Sequence, residues 1–380
     1  MRYNISRSLS LFERILTMQK LKTGAAYHGN RMLSHAISDM NEMARADMDI
    51  VVHMLSHTDW ERHNKVLGDI FKASEAAGLE VWVDNWGIGG APGDVSHFLA
   101  YHPEAHSYFG NGEMHPFQVC LNAPSYRSFV KNWIEEVASL GGKKIFWDEP
   151  LIPDKQVPGS DDFFSACACP TCRKLFAERY GREMPEIMDA EVAQFRNDTL
   201  IDYHAFVSAY AKKSGLESSI CLMPHQLSGG INKNVTPQQK MMEISIDRLC
   251  SIETVDDIGT DPYWFDDADI AKSGNPYEKV YINSKVCVDV ANKYGKKHNI
   301  WVQGFAAPRG REDEIITATE AIYDAGARTI LSWGFNASES NNYRSENPER
   351  SWQMTLEGFR RIKSMERDRL LEENRRKYKK

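Results

Sequence analysis

The sequence predicts a (β/α)8 barrel, and three observations carry that expectation. A helix–glycine–strand unit recurs along the chain; its strands are continuous apolar runs; and long segments follow strands, whereas the segments that precede them are short. A doubly wound open sheet with a second domain is the alternative reading of the same pattern.

The unit appears in full three times, as "FKASEAAGLEVWVDNWG" (71–87), "WIEEVASLGGKKIFWDEP" (133–150) and "ATEAIYDAGARTILSWGF" (318–335). In each, a glycine stands where a helix end favours a left-handed residue, and an apolar strand follows within a few positions. Unbroken apolar strands fit a parallel sheet that is covered on both faces. Five further strands are predicted at "TGAAYHG" from Thr23, "DIVVHML" from Asp49, "SSICLMP" from Ser218, "DIGTDPYW" from Asp257 and "NIWVQGF" from Asn299. Helical patterns separate them over 126–140, 192–213, 236–250 and 312–325. Eight strand–helix units of right-handed connection close into a barrel. The long segments 87–121, 151–191 and 334–350 then fall on the C-terminal face, where barrels carry their functional loops.

Composition bounds the function. The 380 residues are 42% hydrophobic and 26% charged, enough to bury a sizeable core, and the formal charge of −7 argues against a nucleic-acid footprint. No run of 18 apolar residues suggests a membrane span. The N-terminal stretch 1–20 breaks its apolar residues with Arg, Glu and Lys; it reads as an amphipathic helix and not as an export signal. The cytoplasm is the expected location, where thiols stay reduced and clustered cysteines usually hold metal. The barrel is expected over 21–365, and the charged stretch 366–380 as a helical tail.

Three of the seven cysteines fall within "ACACPTC" (166–172). The C-x-C-x-x-C spacing of Cys167, Cys169 and Cys172 lets one turn aim three sulfurs inward, and a structural zinc ion takes four thiolates in a closed tetrahedron. Cys120, just before the helix that leads into the fourth strand, is the best candidate for the fourth. Cys221, Cys250 and Cys287 read as small buried hydrophobes. Three unrelated thiols, or a redox pair at Cys169 and Cys172, are the alternatives.

A cysteine about 47 residues before a C-x-C-x-x-C, with a glutamate at a strand end between them and "CRKLFAERYG" (172–181) after, resembles glycoside hydrolase family 42. That resemblance covers roughly 120–181 and implies a β-galactosidase-like barrel with a four-cysteine zinc site. It also implies that Glu149, at the end of the fourth strand, is the acid/base residue. Relatives in that family often form trimers, so a homo-oligomer is left open, although no stretch here marks an interface.

Glycoside hydrolysis needs a protonated carboxyl to serve the leaving oxygen and an ionised one as nucleophile or base. Trp147 and Pro150 flank "DE" and offer an apolar wall that would keep Glu149 protonated. Two departures from the family stand out. Asp148 replaces the usual asparagine, and strand alternation points it away from Glu149 unless the backbone kinks. In the seventh strand Gln303 occupies the place of the nucleophilic glutamate, and an amide cannot form the glycosyl ester. Asp261 in "GTDPYW" is the first candidate for the second carboxylate and Asp84 in "VWVDNWG" the second. Trp60, Trp86, Trp147, Trp264 and Trp333 fall at or just past strand ends, where aromatic faces suit a pyranose. Tyr263, Asn85, Gln303 and Asn336 could bind the hydroxyls of a small carbohydrate, and His28 reads equally as a sugar ligand or a rim histidine. "GIGG" (87–90) lacks the spacing of a phosphate loop. Two other readings compete: a sugar isomerase or lyase with a metal held by His28, Asp84, Glu149 and Asp261, and a carbohydrate-binding barrel without catalysis.

Overall fold

The computed structural model describes residues 20–28, 30–90, 93–149, 151–224, 237–242 and 244–378. The expected N-terminal helix lies almost wholly outside the described residues, as do Pro150, Thr236 and the last two residues of the tail.

Eight parallel strands close into a barrel in the order β1-β10-β9-β8-β7-β6-β3-β2. They are β1 (Lys22–Tyr27), β2 (Ile50–Met54), β3 (Glu80–Asp84), β6 (Lys144–Trp147), β7 (Glu217–Leu222), β8 (Asp257–Thr260), β9 (Lys297–Gln303) and β10 (Thr329–Trp333). All eight predicted strands are present, and helices connect them in the expected alternation. β2, β6, β8 and β10 are buried along their whole length, so both faces are covered.

The chain divides into two compact units. One comprises residues 1–28, 41–51 and 257–380 and contains β1, β8, β9 and β10. Here β1 pairs with β10 in the register Lys22↔Thr329, and β10 with β9 in the register Ile330↔Ile300. At Gly24 a Cβ would lie 2.3 Å from the Ile50 carbonyl oxygen, so only glycine lets the two segments approach. The helix Pro348–Tyr378 runs unbroken past the expected boundary at residue 365, and Glu366 within it accepts the Tyr323 hydroxyl at 2.9 Å.

The other unit comprises residues 29–40 and 52–256. β6 is central in it, pairing with β3 on one side (Asp84↔Phe146) and with β7 on the other (Trp147↔Ile220). The helix His57–Ala76 starts at a capping box, in which the Ser56 side chain accepts from the Asp59 N–H and Asp59 accepts from the Ser56 N–H. The helix Pro124–Leu140 begins on proline and stops at Gly141, left-handed at φ 97°. That helix buries Trp133 against Trp147, and the Trp133 indole N–H donates to the Leu55 carbonyl at 3.0 Å.

Two departures from the predicted elements are local. The long segment between residues 87 and 121, for which the sequence predicts no strand, carries a hairpin, β4 (His106–Tyr108) against β5 (Met114–Val119). Short, partly exposed strands leave no apolar run to mark them. The helix expected over 236–250 is instead two short ones, Pro237–Met242 and Ile246–Cys250, the second capped anew by Ser245. Among the described residues, no helix is long and apolar enough to cross a membrane.

Candidate functional site

Three acids meet where β3 and β6 end. Asp84 is the last residue of β3, and Asp148 and Glu149 follow β6 directly. Because the two strands pair in parallel, their ends lie side by side, and the Asn85 side-chain oxygen accepts the Asp148 backbone N–H at 3.0 Å. Glu149 adopts a left-handed backbone at φ 36°, so simple strand alternation does not extend to it. This is the kink that would free Asp148 and Glu149 from opposite faces, and Asp84 and Glu149 both act on Asp148 electrostatically.

Burial decides the protonation of two of these groups. Asp84 is fully enclosed, and burial lifts its carboxyl well above the ordinary range; the nearby Glu149 charge lifts it further, opposed by the Trp86 backbone N–H. Asp148 is raised for the same reason, first by burial and then by the charges of Asp84 and Glu149. Carboxyls of one sign crowded out of water titrate as a unit.

The second constellation is sulfur. Cys120, Cys167, Cys169 and Cys172 are all buried, with their sulfurs within 4.8 Å of one another. The Cys120 sulfur lies 3.4 Å from that of Cys172 and 3.5 Å from that of Cys169. A tetrahedron of thiolates around an ion at 2.3 Å has edges of about 3.8 Å, so the two short sulfur pairs need open by only a few tenths of an ångström for the quartet to surround a metal. Donors already face it: the Asn122 amide and the Cys172 backbone N–H each reach a sulfur at 3.4 Å. Hydrogen bonds from Cys120 and its neighbours hold the Cys167 thiol below its ordinary range, while Cys120 is pushed up. The four cysteines can therefore bind a metal ion. Cys221, Cys250 and Cys287 are buried.

Arg196, which the sequence did not single out, anchors this region. It is buried in the helix Ala190–Lys213 and donates to the carbonyls of Ile152, Pro153 and Ala166 at 2.9–3.0 Å. Burial lowers its pKa to about 10. It ties the segment after Glu149 to the cysteine turn. A lone arginine in an amphipathic helix gives no sequence signal of such a role. The hairpin adds a second tie, since the Ala168 N–H donates to the Tyr108 carbonyl at 2.7 Å.

The remaining predicted residues divide between half-buried and packed positions. Asn85 and Trp86 are half-buried. Trp147 and Trp264 have no exposed surface: the Trp147 indole faces the Ser218 hydroxyl at 3.5 Å, and that of Trp264 donates to Glu314 at 2.9 Å. The Gln303 side-chain oxygen accepts the backbone N–H groups of Trp264 and Phe265 at 2.7 and 3.0 Å. It thereby holds the turn after β8. Asp261 opens that turn and is buried, and the ring of Tyr263 stands edge-on to Phe305 at 5.0 Å. His28, lowered to about 4 by burial, meets the edge of Trp333 at 5.0 Å and is neutral at pH 7. Asn336 lies in a short 3-10 turn at φ 48°. Trp60 packs on Phe129 at 5.3 Å.

Strand order, closure and the placement of long segments after strands define a (β/α)8 barrel. No protein-family model matches the sequence, and no curated protein matches it. Among solved structures, the chain is similar to the catalytic domain of a β-amylase from Paenibacillus polymyxa, at 13% identity and a TM-score of 0.63, covering 90% of this chain and 98% of that one. It is also similar to β-galactosidases from the psychrophilic Marinomonas ef1 (12%, TM-score 0.63) and from Bacillus circulans sp. alkalophilus (12%, TM-score 0.60). Each of these covers 89% of this chain, which spans 59% and 56% of theirs. At such identities the likeness is one of fold.

Proposed function

We propose that this protein is a glycoside hydrolase acting on a small glycoside or oligosaccharide. In this reading Glu149 is the group that exchanges a proton with the glycosidic oxygen. The carrying observation is the trio itself: Asp84 and Asp148 are buried with their carboxyls raised, beside a half-buried Glu149 at a barrel strand end. Such displaced titrations, grouped at the end of barrel strands, mark chemical sites. The fold shared with a β-amylase and two β-galactosidases supports the class of reaction. Asp84 is fully enclosed, which favours a supporting role; Asp261 is then the second carboxylate, with Asp84 next in line. Asn85, Trp86, Tyr263, Trp333 and Asn336 are assigned to sugar binding.

The sulfur quartet supports kinship with family 42 and a structural zinc ion held by Cys120, Cys167, Cys169 and Cys172. Four thiolates leave no open position, so the ion would fasten the segment after Glu149 and take no part in bond cleavage. A second reading, sugar binding without turnover, is favoured by Gln303, which replaces the expected nucleophile and is engaged by two backbone donors.

A panel of aryl glycosides separates the two. Hydrolysis of at least one, reduced roughly 10²–10⁴-fold by Glu149→Gln with sugar affinity kept, supports the hydrolase. Sugar binding with no turnover of any member supports the second reading. Full activity in Glu149→Gln removes that residue from the chemistry.

A further inference from the structure

The geometry points to a second metal site, formed by His57, Glu61 and His97 and suited to a divalent transition-metal ion of the zinc class. These residues belong neither to the carboxyl trio nor to the cysteine quartet. His57 opens the helix His57–Ala76, and Glu61 follows four residues later on the same helix face. His97 comes from the segment after β3, immediately before the short helix Phe98–Tyr101.

Three potential ligand atoms converge. The Nε2 atoms of His57 and His97 lie 3.3 and 3.0 Å from Glu61 Oε1, and all three ligand atoms fall within 4.8 Å of one another. A zinc ion bonded to imidazole nitrogens and a carboxylate oxygen at 2.0–2.2 Å places its ligands about 3.3 Å apart. The observed spacings therefore already match the edges of a coordination tetrahedron. The two imidazole rings stack at 3.9 Å with 10° between their planes, and the Nε2 atoms of both lie beside the same carboxylate oxygen; a shared ion would require the partly exposed His97 ring to tilt away from the stack.

The surroundings are those of a ligand set. The Ser96 hydroxyl stands 3.0 Å from His57 Nδ1 and also accepts the Phe98 N–H at 3.3 Å. When it accepts from Nδ1–H as well, the Nε2 lone pair of His57 is left facing the Glu61 oxygen. Two lone pairs so placed call for a cation between them, and a second hydrogen bond on the far ring nitrogen is how metal-binding histidines are oriented. Phe129 closes one side of His57 edge-on at 4.8 Å. The side chains of Glu61 and His97 are 44% and 36% exposed, so an ion has access and a water molecule can complete the shell. Two imidazoles, one carboxylate and an open position suit zinc, cobalt or nickel, and not calcium or magnesium, which prefer all-oxygen shells. A bound ion would pin the segment that carries Asn85 and Trp86 to the helix that follows β2.

The plain alternative is a hydrogen-bonded His–Glu–His cluster that holds no ion. Titrating the full-length protein loaded with a single equivalent of zinc, which the four thiolates take first, with Co²⁺ decides between them. The expected result is one added equivalent whose visible d–d bands lack the sulfur-to-cobalt charge transfer that thiolates give. His97→Ala should abolish that equivalent, and Glu61→Gln, an exposed change of equal size, should weaken it by roughly tenfold to a hundredfold or more. Both variants should keep the thiolate signature when apoprotein is loaded with Co²⁺, which shows that the fold survives. Absence of the added equivalent in the wild type overturns the proposal, as does identical uptake by wild type and Glu61→Gln. The readout is metal content, so it stands or falls independently of glycosidase activity.

Discussion

The sulfur quartet and the carboxyl trio solve one physical problem in two ways. Each gathers ionisable groups of the same kind out of water, where like charges repel strongly. The sulfurs lie within 4.8 Å of one another and face an amide and a backbone donor, an arrangement that a cation would neutralise. Asp84 and Asp148 are held toward their protonated forms instead, because burial makes the ionised forms costly. A cation is a permanent answer and suits a brace. A proton is an exchangeable one and suits chemistry. The difference fits the proposed division, with holding in one region and reactivity in the other.

That division can be broken most forcefully at the sulfurs. Cys169→Ser, or chelation of the wild type, should release about one equivalent of metal and cost several kcal/mol of stability, read as a large fall in Tm by calorimetry. Unchanged Tm with no metal in either protein would leave the quartet as four packed thiols. A smaller loss is expected at Arg196→Met, which keeps the bulk but strands three buried carbonyls. About 2–4 kcal/mol should disappear from denaturant unfolding, with retention of metal lowered as the cysteine turn loosens. A loss within 0.5 kcal/mol of zero would deny the arginine its anchoring role.

The smallest effect has the opposite sign. Asp84 binds its proton more tightly when folded than when unfolded, so the native state carries more protons and stability falls as pH rises above the ordinary carboxyl range. The penalty is absent below the ordinary aspartate value of 3.8 and grows by about 1.4 kcal/mol per pH unit until the folded carboxyl ionises. Asp84→Asn should therefore stabilise the protein at pH 7 by on the order of 1 kcal/mol, once its own unpaired amide is allowed for. It should also flatten the pH dependence of Tm. Destabilisation of the variant at every pH would mean that the ionised form is the one the fold favours.

The barrel was legible because it is written in local periodicity: strands such as β3, β6 and β10 are mostly apolar runs, and the helix Pro124–Leu140 stops at the left-handed Gly141. The cysteines were legible because a short spacing fixes where three of them point, which leaves few partners for the fourth. The trio was legible only in part. Its residues stand at strand ends in the sequence, but the raised carboxyls of Asp84 and Asp148 depend on burial and on neighbours that the pairing of β3 with β6 brings together. Arg196 acts on carbonyls 30–44 positions away, and His97 meets a helix begun 40 residues earlier. Contacts of that separation leave no periodic trace. The indoles of Trp147 and Trp264 show the same limit, since proximity to a strand end does not reveal which way a ring turns.

The left-handed twist at Glu149 has an evolutionary corollary. Glycine at that position would relieve about 1–2 kcal/mol of backbone cost. A population screened only for survival of heat would drift toward Glu149→Gly, gaining ruggedness as it forfeits its proposed reaction. Persistence of an acidic side chain there, generation after generation, would be the footprint of selection for catalysis.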